Sequence, residues 1–256
     1  MIIAAFNPKG GTGKTTTAVN LATVLAHMGR AVLLVDLEAD FNASISLGVR
    51  PGETKPSSAE VLLREAGPAD AVRAVTGVPN LFLMAGSRAL AQMDSALRNV
   101  RQPERRLADA ITPLAPQFDV IVIDAPSGFS MLSLSVPLAA EHLLVPIRAE
   151  YLSLESLAQF LQWYRDRAEP RRGLARIAGI LLAMVDYRWQ ATREIVDIIR
   201  VHNRRGVLRT EIPQDPRAAE APSHGVPLVD YASGSRASLA YHRLASELLK
   251  RLNQRG

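Results

Sequence analysis

A stretch close to the N-terminus, FNPKGGTGKTTTAVNLA at 6–22, constrains the fold of this chain more than any other. It follows the apolar run MIIAA and leads into a segment of helical character, so it predicts a strand, a glycine-rich turn and a helix in direct succession. Glycines in such a turn let backbone N–H groups face inward and cradle phosphate oxygens, and the helix N-terminus adds its positive end. The stretch therefore predicts a phosphate-binding βα unit within an α/β fold.

The remainder of the chain repeats this alternation of strand and helix. Apolar runs predict buried parallel strands at Ile2–Phe6, Ala31–Val35, Asn80–Met84, Val120–Ile123, Leu143–Ile147 and Ile177–Met184. Helical segments are predicted at roughly Lys14–Met28, Ser58–Ala66, Ala89–Val100, Glu104–Leu114, Ser153–Arg167, Ala191–Asn203 and Ser235–Leu252. Ser57 and Glu60 have the spacing of a capping box for the second of these helices.

The alternation also predicts the fold class. Successive strand–helix units form a mostly parallel, twisted sheet with helices on both faces. A hydrophobic content of 48% is enough for a sizeable core, and no internal repeat or long linker divides the chain. The segments Gly48–Ser57 and Gly67–Asn80 are predicted to be loops or a small excursion, not a domain boundary. We therefore expect residues 1–256 to form a single domain.

Composition excludes several kinds of site. The chain contains no cysteine, which excludes disulfides, thiolate metal sites, iron–sulfur clusters and cysteine nucleophiles. No apolar run approaches the roughly 18–20 residues that a membrane span requires. The N-terminus has neither the basic region nor the cleavage site of a signal peptide. The sequence therefore predicts a cytoplasmic protein.

Charge is distributed unevenly along the chain. Residues 1–164 carry 13 basic and 15 acidic side chains, whereas residues 165–256 carry 17 and 10. A basic C-terminal third is typical of a protein that binds a polyanion such as nucleic acid or an anionic membrane. The solvated surface of an arginine-rich chain accounts for the same excess, so charge alone leaves the choice open.

The glycine-rich turn has the residue types that hold a nucleotide. Pro8 departs from the first glycine of the pattern G-x-x-x-x-G-K-[ST], but Gly13, Lys14 and Thr15 match its end. The lysine is predicted to reach the β- and γ-phosphates, and the threonine hydroxyl to ligate Mg²⁺. The predicted phosphate-binding residues are Gly10, Gly11, Thr12, Gly13, Lys14, Thr15 and Thr16.

A second lysine in this turn, Lys9, connects the sequence to a known family. The chain has only four lysines against 26 arginines, and two of the four stand here. A lysine at the start of the loop is the mark of the deviant Walker A group, and the stretch closely resembles the ParA/MinD superfamily. In that family the early lysine reaches the phosphates of the partner's nucleotide. The resemblance therefore implies an ATP-dependent sandwich homodimer.

The resemblance extends along nearly the whole chain. AVLLVDLEADFNASISLGV (31–49) resembles the family's second strand and first switch. FDVIVIDAPSGFSMLSLSVPLAAEHLLVPIRAEYLSLESL (118–157) resembles its Walker B strand, second switch and next strand. These matches imply that Asp36 and Asp124 hold Mg²⁺, directly or through water. IPQDPRAAEAPSHGVPLVDY (212–231) resembles the late segment around adenine and sugar, which implies Pro213 and Asp215 as nucleotide neighbours.

One catalytic position departs from the family. In the family, the second aspartate of an Asp-x-Asp motif positions the attacking water, and alignment through Asp36 places Glu38 there. Glutamate carries the same carboxylate on one extra methylene, which moves it by about 1 Å, and a displacement of that size can cost about 10²-fold in rate. The expected catalytic residues are Lys9, Lys14, Asp36, Glu38 and Asp124. Together they imply a slow, partner-stimulated ATPase.

Four branches of the superfamily do not fit. Nitrogenase iron protein and the iron–sulfur carriers need cysteines, and the tyrosine kinases have a tyrosine-rich tail that LLKRLNQRG lacks. Large ParA proteins carry an N-terminal helix-turn-helix domain, whereas here the phosphate loop starts at residue 8. Among the remaining branches, the chain resembles the small ParA/Soj-type partition or positioning ATPases. These proteins bind DNA without sequence preference.

This branch implies a DNA-binding surface and a partner. Arg188 and Arg217 stand where ParA-like relatives place DNA-contacting arginines. Further arginines predicted to extend the patch are Arg193, Arg204, Arg205, Arg209 and Arg236. The implied cycle couples ATP to dimerisation and to non-specific binding of the nucleoid, and a ParB-like or cargo-adaptor protein stimulates hydrolysis. Such a cycle positions or segregates a plasmid, a chromosome region or a protein cargo.

Two alternatives stay open at this stage. A MinD-like membrane-surface ATPase would use its C-terminal helix as an anchor, and Leu244, Leu248, Leu249 and Leu252 have helical spacing there. That helix has no Phe or Trp and only a thin basic cluster, so we interpret it as packed on the domain and expect no membrane binding. A ligase or synthetase of the same fold, such as a relative of dethiobiotin synthetase, is the second alternative, although no substrate-pocket motif supports it.

Overall fold

The computed structural model describes residues 1–50, 52–168, 173–204 and 206–254. In this part of the chain the strands are Ile2–Ala5 (β1), Val32–Asp36 (β2), Val72–Ala74 (β3), Leu81–Met84 (β4), Val120–Asp124 (β5), His142–Arg148 (β6), Arg176–Val185 (β7) and Val207–Pro213 (β8). They form one sheet in the order β3-β4-β2-β5-β1-β6-β7-β8. Every neighbouring pair is parallel except β3 and β4, which are antiparallel.

Helices connect the strands across both faces of the sheet. The α-helices are Lys14–His27 (α1), Asn42–Ser46 (α2), Ser58–Leu63 (α3), Met93–Ala96 (α4), Arg106–Ile111 (α5), Met131–Ala139 (α6), Tyr151–Ala168 (α7), Gln190–His202 (α8), Arg217–Glu220 (α9), Leu228–Tyr231 (α10) and Arg236–Asn253 (α11). Short 3₁₀ helices span Ala69–Ala71, Arg88–Gln92, Pro103–Arg105, Thr112–Gln117 and Ala221–His224. Within the described residues, no helix combines the length and apolar character that a membrane span requires.

Two hydrophobic cores flank the sheet, because successive strand residues point to opposite faces. In β1, Ile3 and Ala5 pack with Leu21 of α1 and Leu244 of α11. On the other face, Ala4 of the same strand belongs to the core that includes residues of α3 to α8. The strands are buried on both sides, which explains why they are continuous apolar runs in the sequence.

The predicted fold class is confirmed, and the errors concern the two edge strands and several short helices. All six predicted strands are present, but the edge strands β3 and β8 and the helices α2, α6, α9 and α10 were missed. The segment Gly67–Asn80, predicted to be a loop or a small excursion, contains the three-residue strand β3. An edge strand needs apolar residues on fewer sides than a central one, so its pattern is weaker. The predicted capping box of Ser57 and Glu60 is present.

Two predicted helices are shorter than expected. Ala89–Val100 contains only the 3₁₀ helix Arg88–Gln92 and the four-residue α4, and Glu104–Leu114 contains α5 between two 3₁₀ turns. Pro103 and Pro113 stand at the first turns of these flanking 3₁₀ helices. Proline lacks an N–H donor and clashes with the preceding turn, so it interrupts a regular α-helix.

The sheet order places three strand ends next to one another. β1 pairs with β5 and β5 pairs with β2, with Ala5 opposite Asp124 and Asp124 opposite Asp36. Because all three strands are parallel, the phosphate loop after β1 and the two carboxylates lie at the same edge. Ligand sites of open α/β sheets lie at this carboxyl edge.

Candidate functional site

The loop between β1 and α1 has the geometry of an anion site. Gly11 and Gly13 adopt left-handed backbone conformations, with φ of 71° and 88°. Gly13 caps α1 without a side-chain hydrogen bond, and the first turn of the helix contains no acidic residue. The N–H groups of that turn and the positive end of the helix dipole are therefore available to an anion. The loop therefore has the backbone conformation and the polarity that a phosphate-binding loop requires.

Lys14 is buried at the floor of this loop. Its Nζ donates to Ser127 Oγ at 2.8 Å and to the carbonyl oxygen of Lys9 at 3.4 Å. Burial lowers the pKa of Lys14, and the negative charges of Asp124 and Glu38 oppose that shift. A compact ammonium on a flexible stem, placed beside the glycine-rich turn, is suited to a phosphate.

Lys9 is also engaged within the chain. Its Nζ donates to Glu150 Oε1 at 3.2 Å and to Ser153 Oγ at 3.3 Å, where α7 begins. Its backbone N–H donates to Asn7 Oδ1 at 3.0 Å. The two lysines therefore have different surroundings: Lys14 points into the loop, and Lys9 is bound to α7.

Asp124 is a fully buried carboxylate, and neither of its oxygens accepts a hydrogen bond from the described residues. Burial raises its pKa well above the ordinary value, and the charge of Asp36 raises it further, while the nearby Thr15 hydroxyl and Lys14 ammonium act in the opposite direction. An unsatisfied buried carboxylate is costly unless a cation or donor satisfies it. The donor chemistry here fits a hard divalent cation.

Asp36 lies beside it but has hydrogen-bond donors for both oxygens. Its Oδ2 accepts from the backbone N–H and the hydroxyl of Ser44, at 2.9 and 2.7 Å, and its Oδ1 accepts from the N–H of Glu38 at 3.1 Å. Burial raises the pKa of Asp36 to about 6, although these bonds lower it. Asp36 thereby ties the end of β2 to α2, and its direct contact with a metal stays a prediction.

Glu38 extends from this strand end across to the turn after β5. Its Oε1 accepts from the backbone N–H of Ser127 at 3.0 Å and from the Ser127 hydroxyl at 3.1 Å. Sequence reasoning missed Ser127 as a site residue. In the sequence, only its position three residues after Asp124 pointed to a role for Ser127. Serines are common in turns, so that position alone did not indicate function.

The late segment, residues 212–231, lies in part against α1. A small cavity beside Thr16 and Asn20 is lined by residues of the segment 218–228. The Asn20 side chain accepts from the N–H of Val229 at 3.0 Å. Pro213 borders a different, larger cleft, and Asp215 is paired with Arg217. The roles of Pro213 and Asp215 beside a nucleotide stay predictions.

The larger cleft, of about 1150 Å³, lies between the start of α8, strand β8 and α11. We call it the arginine cleft, because its lining includes Arg188, Arg193, Arg209, Arg236 and Arg243, against the carboxylates of Asp186 and Glu211. Four of the arginines predicted to contact DNA therefore converge here, and Arg243, which was not among the predicted residues, lines the same cleft. Arg204 is exposed after α8 and does not line the cleft, and Arg205 lies outside the described residues.

The two principal arginines share a local motif, Asp-x-Arg. The guanidinium of Arg188 binds Asp186 at 2.6 Å, and that of Arg217 binds Asp215 at 2.9 Å. Arg188 keeps 84% of its side chain exposed, whereas the Asp215 side chain is only 5% exposed. Arg188 is therefore open to a ligand, while Arg217 also neutralises a buried carboxylate.

Known proteins resemble the chain along its length. Residues 1–169 match the AAA domain family AAA_31. The chain is 34% identical over 247 residues to the sporulation initiation inhibitor protein Soj of Bacillus subtilis, covering 96% of this chain and 97% of Soj. It is 37% identical over 254 residues to the chromosome-partitioning ATPase Soj of Thermus thermophilus, covering 98% and 96%.

Solved structures confirm the fold. The chain is similar to the cobyrinic acid a,c-diamide synthase of Mycobacterium smegmatis with bound ADP and magnesium, at a TM-score of 0.85 and 27% identity, covering 100% of this chain and 96% of that one. The family match, the sequence relatives and the structural similarity all indicate the same superfamily as the two-lysine loop. The chain belongs to the ParA/MinD superfamily of deviant Walker A ATPases and is of the Soj/ParA type.

Proposed function

We propose that this chain is a slow positioning ATPase that binds ATP with Mg²⁺, dimerises through the nucleotide and then binds DNA. The observation that carries the proposal is the pairing of an uncapped phosphate loop around Lys14 with the unsatisfied carboxylate of Asp124. The first provides positive charge for phosphates and the second negative charge for a cation. Mg-ATP supplies the phosphates for the loop and the cation for the carboxylate.

The residues around Asp124 fit an Mg²⁺ ion that takes most of its ligands from the nucleotide and from water. Among the described residues, no group of three or more His, Asp or Glu side chains is arranged to hold a metal by itself. Mg²⁺ usually takes one or two protein ligands together with phosphate oxygens and water. Asp124 and Thr15 would hold it, with Asp36 beside them. The bound ion would neutralise charge on the β- and γ-phosphates.

The chain's own groups have separate tasks in hydrolysis. Lys14 neutralises phosphate charge, and the turn of glycines donates backbone N–H groups. Glu38 provides the carboxylate that orients the attacking water. Its extra methylene, relative to the family's aspartate, supports a slow basal rate. Partner stimulation, by a ParB-like or cargo-adaptor protein, completes the proposal.

Lys9 is the group we assign to dimerisation. It lies at the start of the phosphate loop and is held by Glu150 and Ser153 of the same chain. We propose that in the dimer it contacts the nucleotide of the second subunit. Two-fold symmetry then places two lysines on two nucleotides, so ATP acts as part of the interface.

The arginine cleft is the proposed DNA surface. Five arginines outnumber two carboxylates there. The basic surface continues into a second cleft of about 960 Å³ along α11, lined by Arg209, Arg243, Lys250 and Arg251 among others. Contacts of this kind go to phosphates, so binding is expected to be sequence-independent and to weaken steeply with salt. A dimer would present the surface twice and gain from multivalency.

We extend the proposal to the whole protein. One domain, residues 1–256, would carry both activities, and the protein would be cytoplasmic and associated with the nucleoid. The packing of α11 supports this over a MinD-like membrane anchor, since Leu244, Leu248 and Leu252 are buried against the domain. The similarity to a synthase keeps a ligase or synthetase as the second candidate.

The test measures binding to a random-sequence duplex with Mg-ATP, Mg-ADP or no nucleotide, at two salt concentrations, beside pelleting with anionic liposomes. ATP-dependent, salt-sensitive DNA binding that is lost in Arg188→Ala and in Lys9→Ala would support the proposal. Arg30→Ala, an exposed arginine outside the cleft, is the matched control. Liposome pelleting without DNA binding would favour the membrane alternative, and a nucleotide-bound monomer indifferent to both would overturn the proposal.

A further inference from the structure

We propose that Ser127 is a positioning residue for Glu38 in ATP hydrolysis, a role that rests on the function proposed above. Glu38 departs from the aspartate of the family, and its carboxylate needs a restraint that a shorter side chain would not need. Ser127 provides two hydrogen-bond donors to a single oxygen of that carboxylate. The structure therefore pairs the longer side chain of Glu38 with a contact from Ser127 that restrains it.

The geometry of the contact fixes the direction of the carboxylate. The Ser127 backbone N–H and hydroxyl both donate to Glu38 Oε1, at 3.0 and 3.1 Å. Within the described residues, Oε2 of Glu38 accepts no hydrogen bond. One oxygen is thus held by the protein, and the other is free to accept a proton or a hydrogen bond from water.

Lys14 determines which way the Ser127 hydroxyl points. The Lys14 Nζ donates to Ser127 Oγ at 2.8 Å. An ammonium has no acceptor, so the serine oxygen must accept there and its proton is left for another partner. Glu38 Oε1 lies at 3.1 Å and receives it. The series Lys14, Ser127, Glu38 therefore has a single direction of donation.

The turn that carries Ser127 is fixed in place on both sides. It directly follows β5, and the N–H of Gly128 donates to the carbonyl oxygen of Pro8 in the phosphate loop at 2.7 Å. The Ser133 hydroxyl donates to the carbonyl oxygen of Gly128 at 2.8 Å. A donor on a fixed turn restrains a flexible glutamate more than a donor on a free side chain does.

Steady-state kinetics test the positioning role. Ser127→Ala removes the hydroxyl and keeps the N–H, so we expect kcat to fall by about tenfold with KM for ATP changed by less than about threefold. Ser127→Thr keeps the hydroxyl and is expected to recover most of kcat. In a Glu38→Asp background the shorter carboxylate cannot use the same contact, so Ser127→Ala is expected to have a much smaller effect.

Hydrogen exchange tests the contact without nucleotide. The amide of Ser127 should exchange faster in Glu38→Ala than in wild type, because its acceptor is removed. Glu38→Gln keeps an acceptor oxygen and is expected to retain most of the protection. The amide of Gly128, which donates to Pro8 instead, is the internal control and should change little.

Two results would overturn the proposal. Unchanged exchange of the Ser127 amide in Glu38→Ala would mean that the contact is absent in solution. An equal loss of kcat from Ser127→Ala in the wild-type and in the Glu38→Asp background would mean that Ser127 acts independently of position 38. A wild-type protein that never hydrolyses ATP, yet shows the exchange difference, would overturn the proposed function and not the contact.

Discussion

Asp36 and Asp124 stand directly opposite each other at the carboxyl ends of β2 and β5, and both are fully buried. Burial raises the pKa of both, and the charge of Asp36 raises that of Asp124 further. Both oxygens of Asp36 accept hydrogen bonds, whereas neither oxygen of Asp124 has a donor in hydrogen-bond geometry among the described residues, and only the nearby Thr15 hydroxyl and Lys14 ammonium favour its charge. The site is therefore unfavourable for folding until a cation arrives, which is a frequent property of functional sites.

This relationship predicts a stability change with a known sign. Asp124→Asn replaces a buried carboxyl whose ionisation is opposed by burial and by the charge of Asp36, so at neutral pH without Mg²⁺ and nucleotide we expect the free energy of unfolding to rise by about 1–3 kcal/mol. The stabilisation that Mg-ATP gives to the wild type should be lost at the same time. Urea unfolding with and without Mg-ATP measures both effects. Asp40→Asn, an exposed neighbour, should change stability by less than about 0.5 kcal/mol. A less stable nucleotide-free Asp124→Asn would contradict the prediction.

The contact between Lys9 and Glu150 predicts a change in oligomeric state. If Lys9 must leave Glu150 to reach a second subunit, Glu150→Gln weakens the contact within the chain and should shift the ATP-dependent monomer–dimer equilibrium towards dimer by a few-fold. Lys9→Ala should bind ATP as a monomer. Sedimentation velocity at several protein concentrations distinguishes these results. Glu155→Gln, at an exposed position of α7, is the matched control, and a similar shift in it would refute the explanation.

The pairing of Asp186 with Arg188 predicts a gain of DNA affinity. The Arg188 guanidinium lowers the pKa of Asp186 to about 2, so the carboxylate is charged throughout the neutral range. It competes with a DNA phosphate for the arginine, and Asp186→Asn should therefore tighten binding of a random duplex by about two- to fivefold. Fluorescence anisotropy with Mg-ATP measures this change. Glu65→Gln removes an exposed charge after α3 and should have little effect on DNA affinity. An equal gain of affinity in this variant would mean that net charge, and not the pairing with Arg188, explains the effect.

A close approach between Gly225 and Gly48 predicts a stability loss. A Cβ on Gly225 would lie 2.7 Å from the Cα of Gly48, and Gly225 has a left-handed φ of 63°. Gly225→Ala should therefore destabilise the protein by about 2–4 kcal/mol, from strain and overlap together. Gly234→Ala adds a Cβ in open space and should be neutral or stabilising by up to about 1 kcal/mol. Thermal unfolding measures the stability of the two variants, and similar melting temperatures would contradict the predicted strain and overlap at Gly225.

Much of the fold was readable because the central strands are buried on both faces. Continuous apolar runs such as Val120–Ile123 have few alternative structures, and each was found within about one residue of its observed position. The edge strand β8 is apolar on fewer sides, and β3 has only three residues, so neither had a clear pattern. The region 50–110 had no motif, and its short 3₁₀ helices depend on packing and proline positions rather than on periodicity.

The sequence by itself determined the phosphate loop, the parallel sheet and the family, because these depend on local residue types in fixed order: glycines that permit left-handed backbone, a lysine after them and apolar strands between helices. Tertiary structure alone decided what the distant groups do. It brought Ser127 to Glu38 and Lys14, left Asp124 without a donor, gathered arginines from β8 and α11 around Arg188, and placed Glu150 on Lys9. These contacts join residues far apart in the chain, so their geometry exists only once the sheet has formed.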